Sequence, residues 1–95
     1  MKIFYTTDFN NAILEIESYL RNHYPTYLKP TRLQIKQKIN ALIKNPYIGR
    51  IGREAGTREA VFAKLPYFIV YEVNEDMQEV VLHDIFHTSR NYPLQ

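Results

Sequence analysis

The 95 residues carry 12 Lys and Arg against 10 Asp and Glu, a formal net charge of +2, and no cysteine. This length fits one domain, residues 1–95, able to bury a core without disulfides. The composition excludes disulfides and thiolate metal sites, and the apolar runs, about five residues at most, are too short to cross a membrane. Met1–Tyr5 lacks the apolar segment of a signal peptide, so the expected location is the cytoplasm.

Charge is unevenly placed. No acidic residue lies between Glu17 and Glu54, while Arg21, Lys29, Arg32, Lys36, Lys38, Lys44, Arg50 and Arg53 do. Such a one-sided basic surface attracts polyanions or an acidic protein, or is simply a solvated helix face.

Lys2–Thr6 reads as a short strand. Thr7 is placed to cap a helix, with Asp8 in its first turn, where a negative charge suits the helix dipole. Phe9, Ile13, Ile16 and Leu20 recur at helical spacing, and Leu14 falls on the opposite side. The helix ends near His23, because Tyr24 precedes Pro25. A second helix runs to about Lys44, beginning either with Thr26 as its cap or after Lys29 with Pro30 in first position. Leu28, Ile35, Ile39 and Leu42 form its apolar face, and Asn45-Pro46 stops it. The loop 45–56 holds all three glycines and sets Arg50 and Arg53 on a pliable segment. Residues 56–63 and 66–73 read as strands joined at Lys64-Leu65-Pro66, and 79–86 as a third after a polar turn. The 66–73 strand is apolar on both faces, which marks it as central. The expected fold is α+β in the order β-α-α-β-β-β. An antiparallel meander is joined by the N-terminal strand, with a helical hairpin on one face.

Candidate chemistry sits in the tail. His87, Ser89, Arg90 and Tyr92 cluster just past the last strand; Arg58 joins them if its strand neighbours the last one, and Arg50 and Arg53 approach from the loop. A histidine moves protons near neutral pH and arginines hold phosphates, which is equipment for RNA cleavage. The plain alternative is that His87 and Arg90 brace the C-terminus. His83 and His87 would stand roughly 13 Å apart on an extended strand, too far to share an ion, so no metal site is expected. No residue pattern calls for a cofactor.

Gly49-Arg50, Gly56-Thr57-Arg58-Glu59, Pro66-Tyr67-Phe68-Ile69-Val70-Tyr71-Glu72-Val73 and His87-Thr88-Ser89-Arg90-Asn91-Tyr92-Pro93 resemble, in that order, the RelE/ParE superfamily of toxins from bacterial type II toxin–antitoxin modules. The resemblance covers nearly the whole chain. It implies a growth-arresting toxin neutralised by a cognate antitoxin that is acidic and partly disordered, in a hetero-oligomeric complex. RelE-like members cut mRNA in the ribosomal A site, whereas ParE-like members poison DNA gyrase. RNA-cleaving members commonly carry a phosphate-binding arginine where this chain has Phe68. The spaced His87-x-x-Arg90 tail, with Gly-Thr-Arg-Glu, is nearer the ParE form. The resemblance therefore implies gyrase poisoning, with Arg50, Arg53, Arg58, His87, Arg90 and Tyr92 as target contacts. The alternative is a ribosome-dependent endoribonuclease using Arg58, His87 and Arg90; a further one is a non-toxic module that only binds the antitoxin. Leu14, Lys29, Lys36, Lys44 and the exposed sheet edge are the expected antitoxin contacts.

Overall fold

In this computed structural model, which describes residues 1–89, the sheet is built outward from its middle strand. The strands are β1 (Lys2–Tyr5), β2 (Arg50–Ile51), β3 (Arg58–Val61), β4 (Tyr67–Asn74) and β5 (Glu79–His87), and the helices are α1 (Thr7–His23) and α2 (Leu28–Lys44). The sheet order is β1-β5-β4-β3-β2, so the strand expected to be central is central. Strands β2 to β5 form an antiparallel meander, and β1 joins the far edge parallel to β5.

Side-chain alternation along β4 explains its position. Ile69 and Tyr71, both fully buried, face the helices and meet Ala60 from β3 and Leu82 and Ile85 from β5. Phe9 of α1 and Ile35 and Leu42 of α2 close this core from above. The intervening Phe68 and Val70 lie on the other face with Phe86, and are buried too. Burying a side chain of this size contributes about 1.5–3 kcal/mol, so two-sided burial holds the strand in register. One irregularity interrupts the pairing. Val70 lies opposite Asp84 but Tyr71 opposite Leu82, which leaves His83 as an extra residue on β5.

Several boundaries differ from expectation. Thr6, not Thr7, caps α1: its backbone is still extended, and its Oγ1 accepts the Phe9 N–H at 3.0 Å. The same hydroxyl donates to the His83 carbonyl at 2.8 Å, fastening the helix start to β5. The second helix begins at Leu28, earlier than Pro30 would place it, after a single 3-10 turn, Pro25–Tyr27. Pro30 is tolerated in the first turn because the N–H it lacks has no intrahelical partner there. Thr31 is buried on the α2 face that the apolar spacing left unfilled. A fifth strand, β2, emerges inside the supposed loop, because Arg50 pairs with Glu59 and Ile51 with Arg58.

Candidate functional site

The segment between α2 and β3 is tied to the sheet at successive points. The Asn45 side chain caps a 3-10 turn, Pro46–Ile48, whose end reaches over β4. There the Tyr71 hydroxyl donates to the Pro46 carbonyl at 2.6 Å and accepts the Gly49 N–H at 2.9 Å. Burial raises the Tyr71 phenol above its ordinary pKa, so it keeps the proton this bridge needs. A Cβ at Gly49 would collide with the Tyr71 ring and hydroxyl, which is why glycine occupies that position. Arg58 donates to the Gly49 carbonyl at 2.8 Å and lies 5.1 Å from the centre of the Tyr47 ring. Beyond β2, Gly56 turns the chain with φ of +82°.

On the face away from the helices, the same segment meets Glu59. This carboxylate is only 2% exposed, yet it is ringed by charge. Arg50 reaches its Oε1 through Nη2 at 2.9 Å and Nε at 3.0 Å. Its Oε2 accepts the Arg53 N–H at 3.2 Å and has the Arg53 Nε at 3.9 Å. The Arg53 guanidinium also sits 5.6 Å from the centre of the Phe68 ring. Sequence reasoning singled out both arginines and missed the acid that holds them. Its signal was a lone carboxylate in a strand, with arginines at positions 50, 53 and 58.

The other expected residues lie elsewhere. His87 is the last residue of β5, at the end of the sheet opposite to Arg58. The two pair with Tyr67 and Tyr71 on β4, four residues apart, a separation of roughly 13 Å along the strand. Since β4 lies between β3 and β5, the condition for Arg58 to join His87 is not met. The His87 Nδ1 accepts the Ser89 N–H at 3.1 Å, which leaves the neutral ring's proton on Nε2. Its ring stands edge-on to Tyr67. Arg90 and Tyr92 fall outside the described residues.

His87 lines a cavity of about 910 Å³ between α1 and the end of β5, together with Tyr19, Tyr67, Asp8, Glu15 and Asp84. The Asp84 carboxyl is held above the usual carboxylate pKa by burial, and secondarily by repulsion from Asp8 and Glu15, although the Ile85 N–H donates to it at 2.8 Å.

A third feature runs between the helices. Ile13 and Ile16 of α1 and Ile35, Ile39 and Ile43 of α2 line a groove of about 350 Å³. An ion pair from Arg32 to Glu17, at 2.6 Å, links its two walls. Of the expected antitoxin contacts, Lys36 lines this groove, while Lys29 and Lys44 are exposed on α2. Leu14 is 63% exposed on α1. Helix α2 carries no acidic residue. Among the described residues no helix is long and apolar enough to cross a membrane, and no three His, Asp or Glu side chains gather as a metal site would require.

Comparison with known proteins places this arrangement. Residues 3–92 match the family model described as the ParE toxin of the type II toxin-antitoxin system parDE. A curated protein of Sinorhizobium fredii (strain NBRC 101917 / NGR234), named Putative toxin Y4kP, is 30% identical over 79 residues, 83% of this chain and 79% of that one. Among solved structures, the chromosomal ParDE system from P. aeruginosa superposes with a TM-score of 0.80 at 16% identity, covering 94% of this chain and 97% of that one. The intact E. coli RelBE toxin-antitoxin complex gives a TM-score of 0.66 at 14% identity, covering 94% and 98%.

Proposed function

The chain belongs to the ParE toxin family of type II toxin–antitoxin systems, and from that premise we propose that it arrests growth by poisoning DNA gyrase, binding the enzyme and holding it on cleaved DNA. The observation that carries this reading is the dispersal of the groups an RNA-cleaving site would need. Arg58 is engaged with the Gly49 carbonyl, His87 lies at the opposite end of the sheet, and Phe68 is buried. A general acid or base must reach the same scissile bond as the cations that stabilise its charge, and among the described residues Arg58 and His87 do not converge. Purified protein, gyrase and plasmid DNA should yield linear, protein-linked DNA. Its absence at saturating protein, with cuts in translated messages instead, would replace this reading with the ribosome-dependent one.

The antitoxin completes the proposal. Both solved structures named above are described as a toxin–antitoxin system or complex. An amphipathic acidic segment fits the apolar groove between α1 and α2, with its carboxylates toward Lys36 and the acid-free α2 surface. Replacing Ile39, half-buried in that groove, by glutamate should abolish capture of the antitoxin and leave plasmid linearisation intact.

A further inference from the structure

Strand β5 is only partly covered on its β1 side. Strand β1 pairs with Glu79–Leu82, and the chain then leaves the sheet as α1, its last tie being the Thr6 hydroxyl on the His83 carbonyl. Among the described residues no strand lies beside β5 on that side from Asp84 to His87. The Thr88 N–H donates to the Pro66 carbonyl on the β4 side. Alternation along an antiparallel ladder therefore points the Ile85 and His87 N–H groups the other way, into the empty strand position. There the Ile85 N–H is met by the carboxylate of its own neighbour, Asp84, at 2.8 Å, rather than by a strand.

This position opens into the cavity of about 910 Å³ beside α1. Among the described residues, three carboxylates line it, Asp8, Glu15 and Asp84, against one lysine, Lys64, and one histidine, His87. Asp8 and Glu15 both repel the Asp84 carboxylate, so the cavity lacks a positive charge between them. Tyr19, Tyr24 and Tyr27 continue the lining, each at least half exposed, with successive ring centres 6.1 and 6.2 Å apart. Exposed aromatic faces also receive cations.

We propose that this slot takes an extended basic segment of a partner protein, which adds beside β5 in line with β1 and sets lysine or arginine side chains against Asp8, Glu15 and Asp84. Strand addition supplies main-chain hydrogen bonds, while charge selects the partner. The acidic segment proposed for the groove between the helices has the wrong sign for this slot, so the two partners differ. The inference stands whether gyrase or the ribosome is the target.

The test is an NMR titration of the purified full chain with a short peptide alternating lysine and valine. The Ile85 and His87 amide resonances should shift, and those of Ile3 and Tyr5 should not. The Lys2 and Thr6 N–H groups bond to the Gln78 and Leu82 carbonyls, so Ile3 and Tyr5 point outward from β1 and form a second open edge, one without the three carboxylates. Shifts there instead of at Ile85 and His87 would overturn the proposal, as would equal binding of a peptide alternating glutamate and valine. Glu15→Gln and Asp84→Asn should each weaken the basic peptide about threefold. Glu15 is exposed, so its variant keeps the fold; unchanged affinity in both variants would refute the role of charge and with it the proposal. N-methylation of the peptide's edge-facing amides keeps its charge and removes its strand hydrogen bonds. It should abolish binding, and a methylated peptide that binds as well as the parent would refute strand addition. Finally, a His87 amide already protected from hydrogen exchange in the free protein would mean that this chain or a second copy fills the slot, which also overturns the proposal.

Discussion

On the β2–β3 side of the sheet, unlike charges close on one another; on the α1–β5 side, like charges do. Arg50 and Arg53 meet over Glu59, whereas Asp8, Glu15 and Asp84 line one cavity and Asp84 is pushed toward its neutral form. Glu59 and Asp84 both lie opposite Val70, in one row across the sheet, so the contrast is local. It teaches that this sheet spends its polar interactions on fixing the segment after α2, and leaves the β5 side with electrostatic tension that burial makes worse.

The largest effect that would break this contrast is expected at Gly49. Gly49→Ala forces a methyl group into the Tyr71 ring and should cost about 3 kcal/mol, the sum of overpacking and a displaced hydrogen bond. Chemical denaturation reads it directly. Tyr71→Phe comes next, at about 2 kcal/mol, because the Gly49 N–H and the Pro46 carbonyl lose their shared partner. The two substitutions touch the same atoms, so the double variant should be less damaged than their sum; strict additivity would show that the clamp is not the unit described above. Smaller again is Arg58→Met, about 1 kcal/mol, which removes the hydrogen bond to the Gly49 carbonyl while keeping most of the stem.

On the β5 side the sign reverses. The folded-state pKa of Asp84 is raised, so the folded protein holds this proton more tightly than the unfolded chain does. Its contribution is fully present below the unfolded value, near 3.8, and is lost as pH rises through the folded value. Asp84→Asn keeps an oxygen for the Ile85 N–H and removes the charge. It should raise the melting temperature at pH 7 and have little effect at pH 3. A uniform shift at both pH values would mean that packing, not charge, dominates the site.

Most of the architecture was legible in the sequence because it rests on periodicity. Phe9, Ile13, Ile16 and Leu20 define the buried side of α1, and the doubly apolar run at residues 66–73 identifies the central strand. Contacts that depend on register were not legible. Glu59 reads as an ordinary polar residue until Arg50 is known to lie opposite it, and a two-residue strand leaves no periodic trace. Nor does Tyr71 reveal its hydroxyl's partners, which come from a segment 22 and 25 residues earlier in the chain. The prospect of Arg58 beside His87 depended on adjacent strands, and the intervening β4 removes it. Thr6 and Thr7 are both good caps, and only the backbone angles choose between them.

The hydroxyl of Thr6 has a consequence for how the chain is made. It caps the first helix and also bonds a carbonyl 77 residues later, while β1, beside it, pairs among the described residues only with β5. During synthesis the first strand and the start of the first helix therefore emerge long before their partners exist. They must wait, unpaired, until residues 79–83 leave the ribosome. A truncated product lacking the final strand would have no place to dock residues 2–5.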